Sequence, residues 1–364
     1  MPLSVSRTLA EDASRLLRKG ELAAVAAVWE RVLDAKPEAE AYEAILLPFG
    51  HWDSRDPRGP LYDMLARADR GEAGLTEPWR LHLRIALLDH LQFYGQALEA
   101  SLALKDLPSR YGFMRAVRGM LLLPRAAAYG EARVELEASF AAAPAYWKAE
   151  AMAAECLLCL GDEAGCIERM DRCVSRLRAE GSAFDRDSAV VWRAAIYLWT
   201  GRYQEALRDL EEPARRGQPL AHCWRGAARL LTGDLPGALA DLELTQRKGR
   251  DPEGAIWLAE AHERLGDLPR ALALYERAAH EGGPTAWVRL GRALVKLGLG
   301  DEPGFWADVA HLPRRMIDLF EWRSGVRVAG DAQRTAVLLR TIRSAAHGLR
   351  RPEEHMLPVF MRPV

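Results

Sequence analysis

The chain has 364 residues, 49% hydrophobic, 28% charged and 8% aromatic, a globular profile without fibrous or disordered bias. Its 50 basic residues stand against 51 acidic ones, a formal net charge of -1, so no broad field draws it to nucleic acid or anionic lipid. No apolar run nears the ~18 residues of a membrane-spanning helix, and the first residues lack the apolar centre of a secretory signal, which predicts a cytoplasmic chain without membrane insertion.

The first predicted element is a pair of helices around Gly20, with Ala13 and Leu16 ahead of it, Leu22, Val25 and Trp29 behind it and Pro37 closing the unit. Gly ends a helix because it enters the left-handed region at little cost. Between about 40 and 77 the pattern degenerates, and residues 47–60 form a polar, Pro-rich loop in place of a clean turn. Weaker pairs centre on Ala97 and Ala132.

From residue 147 the repeat sharpens. Gly161, Gly201, Gly233 and Gly266 are each followed five positions later by a small residue, namely Cys166, Ala206, Ala238 and Ala271. Successive glycines lie 32 residues (Gly201 to Gly233) and 33 residues (Gly233 to Gly266) apart. Apolar side chains flank each Gly at three- and four-residue spacing, and Pro144, Pro219, Pro252 and Pro284 punctuate the joins. Pro213 predicts that the helix after Gly201 ends early. After Gly298 the pattern dissolves, which predicts a C-terminal cap. One more amphipathic helix starts at Asp331 and carries Ala336, Leu339 and Ile342. The closing residues, with Met356, Leu357, Val359, Phe360 and Met361 around Pro358 and Pro363, read as an extended apolar tail. No stretch alternates with period two, so sheet is not expected.

Trp287, Leu290, Gly291 and Leu294, then Ala194, Tyr197, Gly201, Tyr203, Ala206 and Leu210, then Leu258, Ala259, Gly266, Ala271, Tyr275 and Ala278 resemble the tetratricopeptide (TPR) repeat, a helix–turn–helix of about 34 residues. The resemblance covers roughly residues 6 to 300. It implies an all-α, right-handed α-solenoid of about eight repeats over 1–300, capped by helices and the tail over 301–364. The 44 Arg against 6 Lys reads as the imprint of a GC-rich bacterial genome.

Chemistry is sparse. Cys156, Cys159, Cys166 and Cys173 have a spacing that hints at zinc, but in the repeat frame Cys166 and Cys173 fill the small buried positions of a second helix. With Cys223 they make five, an odd number that argues against a disulfide framework. There is no phosphate-binding loop, no dinucleotide fingerprint and no HExxH. No catalytic residue, metal or cofactor is therefore expected. His51, Trp52, Asp53 and Arg55 crowd the 47–60 loop. They read as ion pairs on a solvated loop, or as a secondary site for a small substrate of an accessory or catalytic protein.

The resemblance places the first helix of each unit on an inner face. Trp192, Trp224 and Trp257 share one frame position there, with Val191, Cys223 and Ile256 beside them. Two readings stand. The Trp side chains either pack between neighbouring first helices or wall a groove that captures an apolar or amphipathic segment of another protein. Glu260, Glu263, Arg264, Arg292 and Lys296 would supply charge selectivity nearby or sit on a solvated face. Ala151, Val191, Cys223 and Ile256 cannot read base edges, so RNA is not an expected ligand. Homo-oligomerisation is a further option.

Overall fold

In the computed structural model, the described residues are 5–35, 37–49, 58–126, 128–248, 252–282, 286–312 and 330–348. Among them there is helix and no strand, and the fold class is the all-α helical-repeat solenoid. The chain divides into two compact units, 1–157 and 158–364.

The first unit contains α1 (Val5–Arg18), α2 (Leu22–Asp34), α3 (Ala39–Leu46), α4 (Arg58–Arg70), α5 (Glu77–His90), α6 (Tyr94–Ala100), α7 (Arg115–Ala126) and α8 (Tyr129–Ala142). α1 with α2, α5 with α6, and α7 with α8 are antiparallel pairs. The degenerate stretch behaves differently: α3 packs on α1 and α4 on α5. Between α6 and α7 the backbone tightens into two 3-10 segments, Ser101–Asp106 and Ser109–Met114, separated by Leu107 and Pro108. The core holds Trp29 and Trp79, rings 5.1 Å apart, and their polar edge closes on Glu30, which accepts from Trp79 Nε1 at 2.6 Å and from the Tyr111 hydroxyl at 2.5 Å. His82 is fully buried beside them, its Nε2 2.7 Å from the Ile45 carbonyl oxygen.

Helix α9 (Trp147–Cys159) carries the chain into the second unit. There follow α10 (Glu163–Glu180), α11 (Ala183–Trp199), α12 (Tyr203–Arg215), α13 (Pro219–Thr232), α14 (Leu235–Lys248), α15 (Pro252–Arg264), α16 (Leu268–Gly282), α17 (Ala286–Gly298), α18 (Glu302–Val309) and α19 (Ala332–Gly348). The turns explain the spacing. Gly233 sits at φ +90°, where a side chain would be strained. Asp234 then accepts from the Gly237 amide at 3.0 Å, an N-cap that closes one orphan donor of the next helix. Asp162 and Asp301 do the same at 2.9 Å for Gly165 and Gly304. The small residue five after each Gly is buried under the preceding helix: Cys166, Ala206, Ala238 and Ala271 are all fully covered.

One expectation changes. Pro213 does not end α12, which continues to Arg215 with the proline inside it, although the ring removes one helical hydrogen bond and crowds the carbonyl four residues back. After Gly298, α18 packs on α17, with Phe305 buried at the position held elsewhere by a small residue. Helix α19 begins where the sequence predicts, with Asp331 accepting from the Arg334 amide at 3.0 Å. The apolar tail lies outside the described residues.

Candidate partner-binding face of the second unit

Three first helices, α11, α13 and α15, repeat one face. Ten residues before the turn glycine stand Val191, Cys223 and Ile256; six before it Ala195, Ala227 and Glu260; three before it Leu198, Leu230 and Glu263. Spacings of four and three put each triplet on one side of its helix. The face is apolar on α11 and α13 and turns acidic on α15.

Of the predicted residues, Val191, Cys223 and Trp257 are buried, while Trp192, Trp224 and Ile256 are half-buried. The Trp224 ring meets Trp199 edge-on at 6.4 Å, and Trp257 tilts against Trp287 at 6.0 Å. Each is a contact between neighbouring first helices, so packing accounts for much of these two indoles. Val191, Cys223 and Trp257 belong to the same apolar cluster as Leu198, Ala227 and Val288, with Trp224 and Ile256 at its margin.

The expected charge selectivity resolves into specific pairs. Arg292 and Lys296 do not form a free basic patch: both turn to buried Asp308, Arg292 Nε at 2.9 Å and Lys296 Nζ at 2.9 Å. The Asp308 carboxyl, which burial would push up, is held below its usual range by these two cations. Glu260 and Glu263 are not a solvated face either. Glu260 is 1% exposed and accepts from Arg264 Nη2 at 2.8 Å, while Arg264 Nη1 donates to the Leu230 carbonyl oxygen at 2.7 Å.

Sequence reasoning missed what lies opposite. Arg343 of α19 donates to both oxygens of Glu263, at 2.6 and 2.9 Å. It also faces the hydroxyl of Tyr275, whose pKa desolvation drives well up. Burial works against the guanidinium charge, but the carboxylates of Glu260 and Glu263 overcome it and raise the Arg343 pKa. Along the stretch that precedes Arg343, α19 packs on α17 and α18, where Ala332, Ala336, Leu339 and Ile342 join Ala286, Leu290, Ala293 and Phe305. It also touches α11. No local pattern signals this, because Glu263 and Arg343 are 80 residues apart.

His51, Trp52, Asp53 and Arg55 lie outside the described residues. All five cysteines are buried, and among the described residues no group of His, Cys, Asp or Glu is placed to hold a metal. No described helix is long and apolar enough to cross a membrane.

Comparison with known proteins agrees with this geometry. Residues 252–299, which hold α15, α16 and α17, match the tetratricopeptide repeat family model. No curated protein matches the chain by sequence. A tetratricopeptide repeat protein from Parabacteroides merdae superposes with a TM-score of 0.52 at 13% identity, over 80% of this chain and 98% of that one. A Rap protein complexed with competence and sporulation factor reaches 0.52 at 14% identity, over 98% and 95% of the two chains. Cut9–Hcn1, a hetero-tetramer of the APC/C, reaches 0.51 at 16% identity, over 85% and 55%. At such identities the likeness is one of fold.

Proposed function

We propose that this chain, which belongs to the tetratricopeptide repeat superfamily, is a protein-interaction scaffold whose second unit captures an apolar or amphipathic segment of another protein on the face of α11, α13 and α15. Fold alone does not assign function; the reading rests on the face itself. One observation carries it: a helix of the chain, α19, already reaches this face, its Arg343 forking onto Glu263 of α15 while the same helix contacts α11. A surface that accepts one amphipathic helix has the width and polarity to accept another. The Rap protein complexed with competence and sporulation factor is a precedent for ligand capture by the fold.

Trp192, Trp224 and Ile256 keep partial exposure and are the anchors of choice, with Val191, Cys223 and Trp257 as the packed floor. The test is a displayed library of helical peptides selected on the full chain and re-measured on Trp192→Ala, Trp224→Ala and Ile256→Ala, each checked by circular dichroism. Truncating an anchor should cost about 2 kcal/mol of binding. Ligands indifferent to all three changes would sink the reading.

A further inference from the structure

We propose that the inner face of the second unit takes an amphipathic helix bearing an arginine on its apolar side, and that α19 is a resident copy of this ligand which a partner must displace. The proposal rests on the scaffold reading above.

A helix that merely capped the array would need to cover α17 and α18 alone. α19 continues past them, bonds α15 through Arg343 and touches α11. Its 17 residues span about 25 Å at 1.5 Å per residue. First helices packed roughly 8–10 Å apart would place α11 about three steps from α17. The length therefore suits a helix laid across the first helices, in the place of a ligand.

The acidic notch says what kind of helix fits. Along the triplets six and three before the turn glycine, α11 and α13 carry Ala195, Leu198, Ala227 and Leu230, all buried, whereas α15 carries Glu260 and Glu263. Arg264 answers Glu260, and both oxygens of Glu263 are answered from α19. A desolvated ion pair contributes little net stability compared with apolar packing of the same volume, but it fixes register. A guanidinium fork also fixes rotation about the helix axis. The buried side of α19 runs Ala336, Leu339, Ile342 and Arg343, while Gln333, Arg334, Val337, Arg340 and Ser344 face outward. The occupant is thus a helix with small and aliphatic residues seven, four and one positions before an arginine. Held by one face and tethered to its site, α19 competes with such a helix at the high effective concentration of an intramolecular ligand.

The experiment uses a fluorescein-labelled synthetic peptide of residues 331–348 and the full chain, read by anisotropy. Arg343→Ala in the chain should weaken the resident helix and let the peptide bind about tenfold tighter than to wild type. Replacing the peptide's own arginine by alanine, or adding Glu263→Gln to the Arg343→Ala chain, should each lose that gain. Should Arg343→Ala fail to fold by circular dichroism, Arg343→Gln takes its place. Equal binding to wild type and variant, or binding to neither folded chain, overturns the proposal. So does a variant that sediments as a dimer and is dissociated by the peptide, since the occupant would then be a second copy. If the peptide fails while library helices bind in a Trp224-dependent way, this inference falls and the scaffold reading stands. Failure of both removes the scaffold reading too.

Discussion

Arg225 grips Asp241 with two prongs, Nε at 2.8 Å and Nη2 at 2.7 Å, and the two residues stand eight positions either side of Gly233. The same arrangement recurs twice. Arg193 and Asp209 flank Gly201 with both contacts at 2.8 Å, and Arg292 and Asp308 flank Gly300. In each hairpin an arginine on the first helix meets an aspartate on the second, so the pair ties together the two arms that the turn glycine folds back.

Asp241 is the hub of its hairpin, since Arg229 Nη1 at 2.8 Å and His222 Nδ1 at 3.1 Å also meet its carboxylate. Asp241→Ala leaves Arg225 largely buried with only the exposed Glu211 to answer it, and should cost about 3 kcal/mol in urea unfolding. The double variant Arg225→Met/Asp241→Leu should lose less, because it orphans no buried charge in that pair. Burial would raise the Asp241 pKa, but hydrogen bonds from Arg225 and His222 hold it below the usual range. Its contribution is therefore complete above the unfolded carboxylate value and is lost as pH falls through the lower folded value. A double variant as unstable as the single one would rule this hub out.

His82 acts in a different pH window. Desolvation lowers its pKa to about 4, the Ile45 carbonyl resisting only in part, so the folded chain holds it neutral. Above the unfolded value near 6.5 both states are neutral and it has no effect. Between 6.5 and about 4 the unfolded chain binds the proton and the folded chain does not, so stability falls with pH by up to about 3 kcal/mol. Unfolding titrations at pH 7, 5.5 and 4.5 on wild type and His82→Gln should show a loss that the variant lacks. Parallel curves would refute it.

Most of the fold is legible in the sequence because each hairpin is a local object. Gly233 needs its left-handed φ, Asp234 its cap and Ala238 its small volume within six residues, and all three leave a mark at fixed spacing. The Arg–Gly–Asp spacing of eight and eight is as regular, but no apolar template asks for it. Where the local marks fail, so does the reading. Phe305 fills the position of a small residue and hides the hairpin of α17 and α18, and the degenerate stretch that holds α3 and α4 lacks the Gly and Ala five apart that mark other turns. For the candidate face, frame counting finds Glu260 and Glu263 but not their partner. The contact of Glu263 with Arg343 is tertiary, and the periodicity of α19 is the same whether it caps a hairpin or lies across several.

Gly291 is required by contact, not by backbone angle. A Cβ there would collide with the ring end and hydroxyl of Tyr275 on α16, and Tyr275 is fully buried. Gly291→Ala should cost about 2 kcal/mol or more in thermal unfolding, since overpacking forces side chains off their rotamers. Tyr275→Leu alone leaves a void, yet it should recover part of the loss in the double variant. Gly226→Ala meets Leu242 Cγ at 2.6 Å, a milder overlap than the 2.2 Å to the Tyr275 ring, and should cost less than Gly291→Ala. The reverse ranking would refute the argument.

The three predicted Trp should separate into two classes. Trp257 is 8% exposed and packs on Trp287 at 6.0 Å, so Trp257→Ala should cost about 3–5 kcal/mol of stability, the range for truncating a buried aromatic. Trp192 and Trp224 are half-buried; their alanine variants should cost markedly less and leave the helical signal intact. Trp224 also meets Trp199 edge-on, so Trp224→Ala should redshift the remaining indole emission less than Trp257→Ala, which opens its neighbour to water. Urea titrations followed by fluorescence and circular dichroism measure both quantities on the same samples. If Trp224→Ala and Trp192→Ala unfold the chain as readily as Trp257→Ala, all three indoles are core and none can serve as a partner anchor.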